Sequence, residues 1–325
     1  MSRKTILVVS DIHYACEAEQ ARHGQEFRGV KNAFTRALLH AYRDYFWLKN
    51  PTRQNHLLDQ FFLHATGADY VVANGDFSCN TGFIGVGDDA ACQSAQECLG
   101  KLRRQFAPNF SGVFGDHELG KTSMAGNLGG MRLTSWHRAI IDLKLQPFWS
   151  VEFGDWLLIG VVSSLIALPV FEAETLPEER EEWRRHREEH LGVIRKAFTE
   201  LKPNQRVLLF CHDPTALPFL WEEEAVRSKL PQVEHTIIGH LHSPLFLWKS
   251  RLLAGMPVIR GLGVTVHRYS QALHRARHWR EFRVTLCPSL HGIELLKDGG
   301  FLKITLDANT HQTGGAHIER QKILR

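Results

Sequence analysis

Five short apolar runs recur along the chain, and each of them leads into Asp or His residues. The runs end at Asp11-Ile12-His13, Asn74-Gly75-Asp76, Gly115-Asp116-His117-Glu118, His212-Asp213 and Gly239-His240-Leu241-His242. Short apolar runs between helical patterns are typical of buried strands in an α/β layer. Ligands of such sheets collect outside the carboxyl ends of the strands. The pattern therefore predicts an α/β fold in which five strand ends direct carboxylates and imidazoles toward one place.

Carboxylates and imidazoles together form a ligand set that suits Mn, Fe, Zn or a similar metal. On an extended or turning segment Asp11-x-His13 can present both side chains to one ion, as can His240-x-His242, since alternate residues of an extended chain face the same side. Two ions about 3.5–4 Å apart can share a carboxylate and a bridging hydroxide during phosphoryl transfer. Taken singly, a polar residue at a strand end is usually a cap or a turn former, so the prediction depends on all five blocks together.

The third block also matches a nucleotide-binding pattern. Residues Gly115 to Thr122 fit GxxxxGK[ST], the phosphate-binding loop. Such a loop must continue into a helix whose N-terminal amides hold phosphate. The eight residues after Thr122 include three glycines and have no helical periodicity, which indicates a loop. Asp116 and Glu118 would also repel a triphosphate, and we therefore reject this interpretation.

The ordered blocks resemble the calcineurin-like metallophosphoesterase family over roughly residues 4–244. The resemblance implies a two-sheet α/β/β/α sandwich and a pair of divalent ions, with Mn expected ahead of Fe, Zn or Mg. It assigns one ion to Asp11, His13 and His242, the other to Asp116, His212 and His240, and the bridging position to Asp76. It also makes His117 the group that stabilises the transition state or protonates the leaving oxygen, with Glu118 orienting it.

One position departs from the family pattern, which has Asn where this chain has Asp116. A carboxylate oxygen can still bind a metal. With Asp11 and Asp76 it gives three negative charges against the four positive charges of two divalent ions. We therefore expect tighter metal retention and a less electrophilic site than Asn would give.

The composition is that of an ordinary globular chain. It has 325 residues, 43% hydrophobic, with a net charge of +4 and six cysteines. The cysteines have no CxxC spacing, so neither a zinc knuckle nor a disulfide framework is indicated. The N-terminal residues run directly into the first predicted strand, which leaves no room for a signal peptide. The apolar stretch 156–171 is shorter than the ~20 residues of a membrane span. We expect a cytoplasmic protein without a transmembrane segment, with peripheral contact at the inner membrane face as an option.

Helical patterns cover residues 30–47, 54–66, 88–106 and 176–201. A hairpin is expected from strands 148–153 and 156–162, followed by an apolar loop at 163–171 near the site. Strands at 283–287, 301–306 and 317–323 are expected to complete the second sheet. We interpret 1–325 as a single domain, with insertions at 119–147 and 163–190 near the site and a C-terminal extension at 262–325.

Residues 264–283 form a basic, aromatic and amphipathic segment. A surface helix packed on the sheet is the simplest interpretation. A membrane-surface contact, a clamp for an anionic substrate and a nucleic-acid surface are the functional alternatives. Lys121, Arg268 and Arg275 are the candidate substrate-binding residues.

The substrate class is left open by the motifs. We favour a phosphodiester or pyrophosphate with a bulky partner, as in enzymes similar to the UDP-diacylglucosamine pyrophosphohydrolases of bacterial lipid A synthesis. An Mre11-like nuclease is the enzymatic alternative, although nucleic acid is the less favoured partner. A non-catalytic binding scaffold is the alternative that is not an enzyme, since a protein can keep this fold after losing its metal ligands.

Overall fold

Two five-stranded sheets form the centre of the molecule. The computed structural model describes residues 3–22, 24, 27, 30–123, 128–261, 264–307 and 315–323. The strands are β1 Lys4–Val9, β2 Tyr70–Asn74, β3 Phe110–Val113, β4 Trp149–Phe153, β5 Trp156–Val161, β6 Arg206–Cys211, β7 Val233–Ile238, β8 Val284–Leu286, β9 Gly300–Leu306 and β10 Ala316–Lys322. The first sheet has the order β10-β9-β1-β2-β3 and the second β4-β5-β6-β7-β8.

Each sheet has a parallel core with antiparallel strands added at an edge. β1, β2 and β3 pair in parallel, while β9 and β10 are antiparallel to their neighbours. In the second sheet β4 is antiparallel to β5, and β5 to β8 run in parallel. The carboxyl ends of β1, β2, β3, β6 and β7 are the five places where the sequence predicted polar residues.

The two sheets pack face to face through apolar side chains. The cluster between them includes Ile6, Val8, Val72, Leu208 and Ile304, all of which are fully buried. A larger apolar cluster covers the other faces, where the helices pack. This arrangement confirms the predicted α/β/β/α sandwich. It explains why the central strands are apolar on both faces.

The helices enclose the two sheets. They are α1 Glu17–Gln20, α2 Ala33–Tyr42, α3 His56–His64, α4 Asp89–Phe106, α5 Asp116–Leu119, α6 Leu133–Ile141, α7 Ser163–Ile166, α8 Leu168–Phe171, α9 Arg180–Thr199, α10 Leu217–Glu222, α11 Glu224–Arg227, α12 Pro244–Leu252 and α13 Val264–Arg275. α2 continues as a π-helical turn over Arg43–Trp47. The predicted helices are confirmed, with shorter limits, and side-chain caps begin α2 and α4. The Asp88 carboxylate, for example, caps α4 by accepting from the N–H groups of Ala90 and Ala91.

Two expectations about the second half of the chain are wrong. β9 and β10 belong to the first sheet, where β9 pairs with β1, and only β8 joins the second sheet. Residues 163–171 form the short helices α7 and α8 instead of a loop, with Leu165 and Ile166 fully buried. An apolar run of this length does not reveal whether its backbone is helical.

The sequence-based rejection of the phosphate-binding loop agrees with the described residues of that region. Lys121, Thr122 and Ser123 are not helical, and the next helix is α6. Residues 124–127 lie outside the described part of the chain. Within that part, no helix is both long enough and apolar enough to cross a membrane.

Candidate metal centre

The predicted ligands lie on turns that directly follow the strands. Asp11, His13, Asp76, His240 and His242 all have φ between 48° and 59°. This left-handed region is uncommon for residues other than glycine and clusters at functional sites. The chain thus turns at Asp11-x-His13 and at His240-x-His242, and His240 and His242 lie in different clusters instead of facing one ion.

Glycines allow the five turns to approach one another closely. A Cβ atom at Gly115 would lie 2.1 Å from Asp76 Oδ1, and one at Gly239 would lie 2.0 Å from Ser10 Oγ and 2.6 Å from Asp11 Oδ2. None of these three distances is compatible with a side chain at Gly115 or Gly239. The glycines in these blocks are thus needed for the convergence of the loops.

Asp11, His13 and His242 form the first cluster, and their ligand atoms all lie within 4.8 Å of one another. His242 Nε2 is 3.2 Å from Asp11 Oδ1 and 3.4 Å from His13 Nε2. His13 Nδ1 lies 3.3 Å from the carbonyl oxygen of Ser78. This contact favours a proton on Nδ1, which leaves Nε2 directed at the cluster as a ligand.

Asp116, His212 and His240 form the second cluster. Asp116 Oδ1 lies 2.8 Å from His240 Nδ1 and 3.2 Å from His212 Nε2. His212 Nδ1 donates to the carbonyl oxygen of Asn74, which directs Nε2 into the site. That buried Nε2 makes no regular hydrogen bond within the described part of the chain. An imidazole held in this way is suited to bind a metal ion.

Asp76 lies between the two clusters. Its carboxylate groups with Asp11 and His212 on one side and with His13 and His117 on the other. Oδ2 is 3.3 Å from His212 Nε2, and Oδ1 accepts the backbone N–H of His117 at 2.9 Å. This central position is the one that a bridging carboxylate requires.

His117 and Glu118 have different contacts from those expected. His117 Nδ1 lies 3.0 Å from the Ser78 carbonyl oxygen, which orients the ring, and Nε2 lies 3.8 Å from Asp76 Oδ2. The buried Glu118 carboxylate accepts the backbone N–H groups of Gly115, Asp76 and Phe77. Glu118 therefore ties the second block to the third, and its role in orienting His117 stays a prediction.

Burial and neighbouring charges determine the protonation of the site. Burial raises the pKa of Asp11 to about 6, against the lowering effect of the His212 imidazole. Burial and the neighbouring His117 lower the pKa of His13 to about 3. Burial and His13 likewise hold the pKa of His242 well below its usual value. His13 and His242 are thus neutral at physiological pH, the form in which imidazole binds metals.

The three candidate substrate-binding residues contact carboxylates of the protein. Lys121 Nζ lies 2.6 Å from Asp116 Oδ2. Arg268 is paired with the buried Glu174. Arg275 lies 2.9 Å from Glu222 Oε1 and over the ring of Phe219. Arg268 and Arg275 are thus part of the protein's own ion-pair network.

Several residues near the clusters were not singled out from the sequence as site residues. The Ser10 hydroxyl donates to Asp11 Oδ2 at 2.6 Å, and the buried His291 ring stacks on His13. The Trp47 ring lies 4.9 Å from that of His242. Asp213, which the sequence placed beside the ligands, has Oδ2 3.9 Å from His240 Nε2. No motif marks Ser10, His291 or Trp47, because they reach the site only through tertiary packing.

The clustered donors fit a pair of divalent ions. Seven carboxylate and imidazole side chains from five strand ends converge, and no thiolate is among them. Asp11, His13 and His242 would hold one ion, Asp116, His212 and His240 the other, and Asp76 would contact both.

Comparisons with known proteins agree with this geometry. The profile of the calcineurin-like phosphoesterase family matches residues 4–244. A search of curated proteins finds no significant match.

Among solved structures, the chain is similar to a dimetal phosphatase from Danio rerio, with 14% identity, a TM-score of 0.46 and coverage of 97% of this chain and 98% of that one. It is also similar to a purple acid phosphatase from yellow lupin seeds, with 11% identity, a TM-score of 0.39 and coverage of 99% and 54%. A predicted phosphoesterase from Streptococcus pneumoniae has 10% identity, a TM-score of 0.31 and coverage of 99% of both chains.

Proposed function

Because this chain belongs to the calcineurin-like phosphoesterase family, we propose that it hydrolyses a phosphodiester or pyrophosphate bond in a lipid-linked substrate at a membrane surface. Metal-dependent hydrolysis of a phosphoester is the activity of the family. The bond, the lipid and the membrane are the proposed part. The observation that carries them is a group of exposed apolar side chains beside the metal centre.

The chemistry follows from the residues of the site. Two divalent ions, for which we propose Mn ahead of Fe, Zn or Mg, supply an activated water and neutralise charge on the phosphoryl oxygens when bound. His117 keeps Nδ1 on the Ser78 carbonyl, so Nε2 is free to carry a proton toward the leaving oxygen. Asp76 Oδ2 lies 3.8 Å from that Nε2.

Exposed apolar side chains are concentrated in a few segments of the chain. Among the described residues, ten of the fourteen large apolar side chains that are exposed lie on α2 and its π-helical turn, on α12, on residues 259–269 or at 295–296. We name their core the aromatic-basic face, defined by Phe34, Leu38, Tyr42, Tyr45, Trp248, Leu252 and Tyr269. Phe34 and Tyr45 are each 79% exposed and Trp248 is 63% exposed. Apolar surface of this kind marks a site of interaction with a protein, a ligand or a membrane.

A row of rings connects this face with the metal centre. Tyr42 stacks on Phe46, with ring centroids 5.1 Å apart. Phe46 and Trp47 both contact Phe246, and the Trp47 ring lies 4.9 Å from that of His242. An acyl chain lying along these rings would leave its phosphate end near the ions. This continuity supports a substrate with a lipid part.

The charge of the same region fits an anionic bilayer. Residues 244–283 contain eight Lys and Arg residues and a single acidic residue, Glu281. Lys249, Arg251, Arg260, Arg277 and Arg280 are exposed. Basic residues near a membrane contribute about 1 kcal/mol each through attraction to anionic lipids. The segment 264–283 is therefore proposed to contact the membrane together with α2 and α12.

A nucleotide-linked diacyl sugar combines the features that this site would recognise, namely a pyrophosphate and an apolar tail. The test is hydrolysis of UDP-2,3-diacylglucosamine in mixed micelles, compared with the same nucleotide sugar without acyl chains, in the presence of Mn. We expect kcat/KM to be at least about tenfold higher for the acylated substrate, since each buried CH₂ contributes ~0.8 kcal/mol. Equal turnover of both substrates would refute the lipid part of the proposal.

Two further measurements separate the alternatives. Cleavage of DNA, with an affinity that falls steeply with salt, would favour an Mre11-like nuclease instead. Failure to bind metal and to turn over bis-p-nitrophenyl phosphate would favour a binding scaffold.

A further inference from the structure

Asp116 stands where the family pattern has Asn, and its two carboxylate oxygens face different partners. Oδ1 faces the imidazoles of the second cluster, 2.8 Å from His240 Nδ1 and 3.2 Å from His212 Nε2. Oδ2 faces away from them and lies 2.6 Å from Lys121 Nζ. The side chain of Asp116 is thus shared between the candidate metal position and a cation of the protein.

An Asn side chain would present one acceptor oxygen and one N–H donor group, with no net charge. The pair of Asp116 and Lys121 presents the same arrangement at this place. Oδ1 is the acceptor toward the metal position, an ammonium replaces the amide N–H on the other side, and the two charges cancel.

We propose that Lys121 is a positioning residue that neutralises Asp116, so that the ion pair does at the second metal position what a single Asn would do. The inference rests on the proposed two-metal function of this site. It revises the expectation of tighter metal retention, because the additional negative charge is compensated within the protein.

The backbone around Lys121 is held in place for this role. Lys121 follows Gly120, whose φ is +101° and where a Cβ would lie 2.3 Å from the Gly130 carbonyl oxygen. The Lys121 N–H donates to the Phe83 carbonyl at 3.2 Å. The chain therefore leaves α5 on a fixed path that returns Lys121 toward Asp116.

A second ion pair keeps the neighbouring cation, Arg268, from competing with Lys121 for the Asp116 carboxylate. Glu174 Oε1 pairs with Arg268, and Oε2 accepts the N–H of Thr122 at 3.0 Å. Arg268 is thereby bound to Glu174, and Lys121 is left to Asp116. The two pairs have no net charge, which explains how the half-buried cations Lys121 and Arg268 are accommodated near a site for divalent ions.

The test is a double-mutant cycle on metal affinity, measured in the purified full chain by calorimetric titration of Mn into metal-free protein. Lys121→Met leaves Asp116 uncompensated, and we expect Kd of the weaker site to fall by about tenfold or more. Asp116→Asn leaves Lys121 uncompensated, and we expect Kd to rise by a similar factor. The double variant Asp116→Asn with Lys121→Met should return close to wild type.

Lys101→Met is the matched control, because Lys101 pairs with Asp59 on the surface. It should leave Kd unchanged. Thermal unfolding of each metal-free variant identifies any that fails to fold, and Lys121→Arg, which retains the charge, should keep the wild-type Kd.

The outcomes separate this inference from the proposed function. If wild type binds two ions but the single variants shift Kd in the same direction, or the Kd of the double variant does not return close to that of wild type, the compensating role of Lys121 is refuted. If wild type itself binds no Mn, the proposed function fails first.

Discussion

The metal centre and the aromatic-basic face are connected, since Tyr42 of the face stacks on Phe46 and the ring of the next residue, Trp47, lies 4.9 Å from that of His242, yet they are constructed in opposite ways. The metal centre is buried, glycine-lined and strained, with five candidate ligands in left-handed backbone conformations. The face is exposed, and its side chains lie on the outer surface of helices. A strained buried site must be over-determined by its surroundings. An exposed face can vary without loss of the fold.

This difference has a practical consequence. Substitutions in the metal centre are expected to change folding, metal binding and chemistry together. Substitutions on the face are expected to change binding to lipid and little else.

Asp76→Ala removes the carboxylate that lies between the two clusters. We expect loss of at least one bound ion and a fall in turnover of bis-p-nitrophenyl phosphate by more than about a hundredfold, because even outer partners of metal ligands cost 10–100-fold. Metal analysis and steady-state kinetics measure the two effects. Asp59→Ala, at an exposed ion pair, is the control. Retention of both ions and of activity would show that Asp76 is not the bridge.

Gly239→Ala tests whether the close approach of the turns is essential. The new Cβ would lie 2.0 Å from Ser10 Oγ and 2.6 Å from Asp11 Oδ2. We expect a loss of about 1–3 kcal/mol in the free energy of unfolding, as for other overpacked sites, together with weaker metal binding. Denaturant unfolding measures the first effect.

Gly100→Ala is the matched control for that variant. Gly100 lies within α4, and the nearest atom to a new Cβ is 3.5 Å away, on Arg104. There we expect a gain of up to about 1 kcal/mol from helix propensity. A Gly239→Ala variant as stable as wild type, with full metal content, would mean that the turns do not need this contact.

Phe34→Ser and Trp248→Ser test the aromatic-basic face. Both side chains are exposed, so the melting temperature and the metal content should not change. Affinity for vesicles containing anionic lipid should fall by about tenfold or more for each variant, since burying a large apolar side chain contributes about 1.5–3 kcal/mol. Sedimentation with the vesicles measures it. Leu63→Ser, at an exposed apolar residue of α3, is the control. Equal losses of vesicle affinity in all three variants would show that the aromatic-basic face is not the membrane-binding surface.

The buried His190 is expected to make the free energy of unfolding depend on pH in the acid range. Its Nε2 accepts the Val162 N–H at 3.1 Å, and burial lowers its pKa to about 4. Because the unfolded chain has a His pKa near 6.5 and binds the proton first, stability should fall as pH drops from about 6.5 to about 4, by up to ~1.4 kcal/mol per pH unit. His190→Gln should flatten that slope relative to wild type, whereas the exposed His64→Gln should not. Identical slopes in urea unfolding would contradict the buried neutral role of His190.

The sequence predicted the fold and the polar strand ends because both depend on local patterns. An apolar run that ends in Asp11 or His212 predicts a buried strand and a polar strand end from a few consecutive residues. The sheet that receives β9 cannot be predicted in this way, since an apolar strand that pairs antiparallel with its neighbours can belong to either sheet. The helical state of 163–171 was not predictable for a related reason, because an apolar run of this length is compatible with helix, strand or loop.

The contacts of individual side chains were harder to predict than the position of the site. Glu118 lies one residue from His117, yet its carboxylate accepts N–H groups from two separate blocks. Lys121 belongs to a motif that suggested phosphate binding, and it pairs with Asp116 instead. The exposed rings of α2 and its π-helical turn show helical spacing in the sequence. The structure is needed to show that no described element covers Phe34 or Tyr45.

The central claim is that five strand ends build a site for two ions with Asp76 between them. Anomalous X-ray diffraction from crystals grown with Mn tests it most directly. The account predicts two anomalous peaks, one contacted by Asp11, His13 and His242 and the other by Asp116, His212 and His240, with the Asp76 carboxylate touching both. A single peak, or peaks away from these residues, would contradict it.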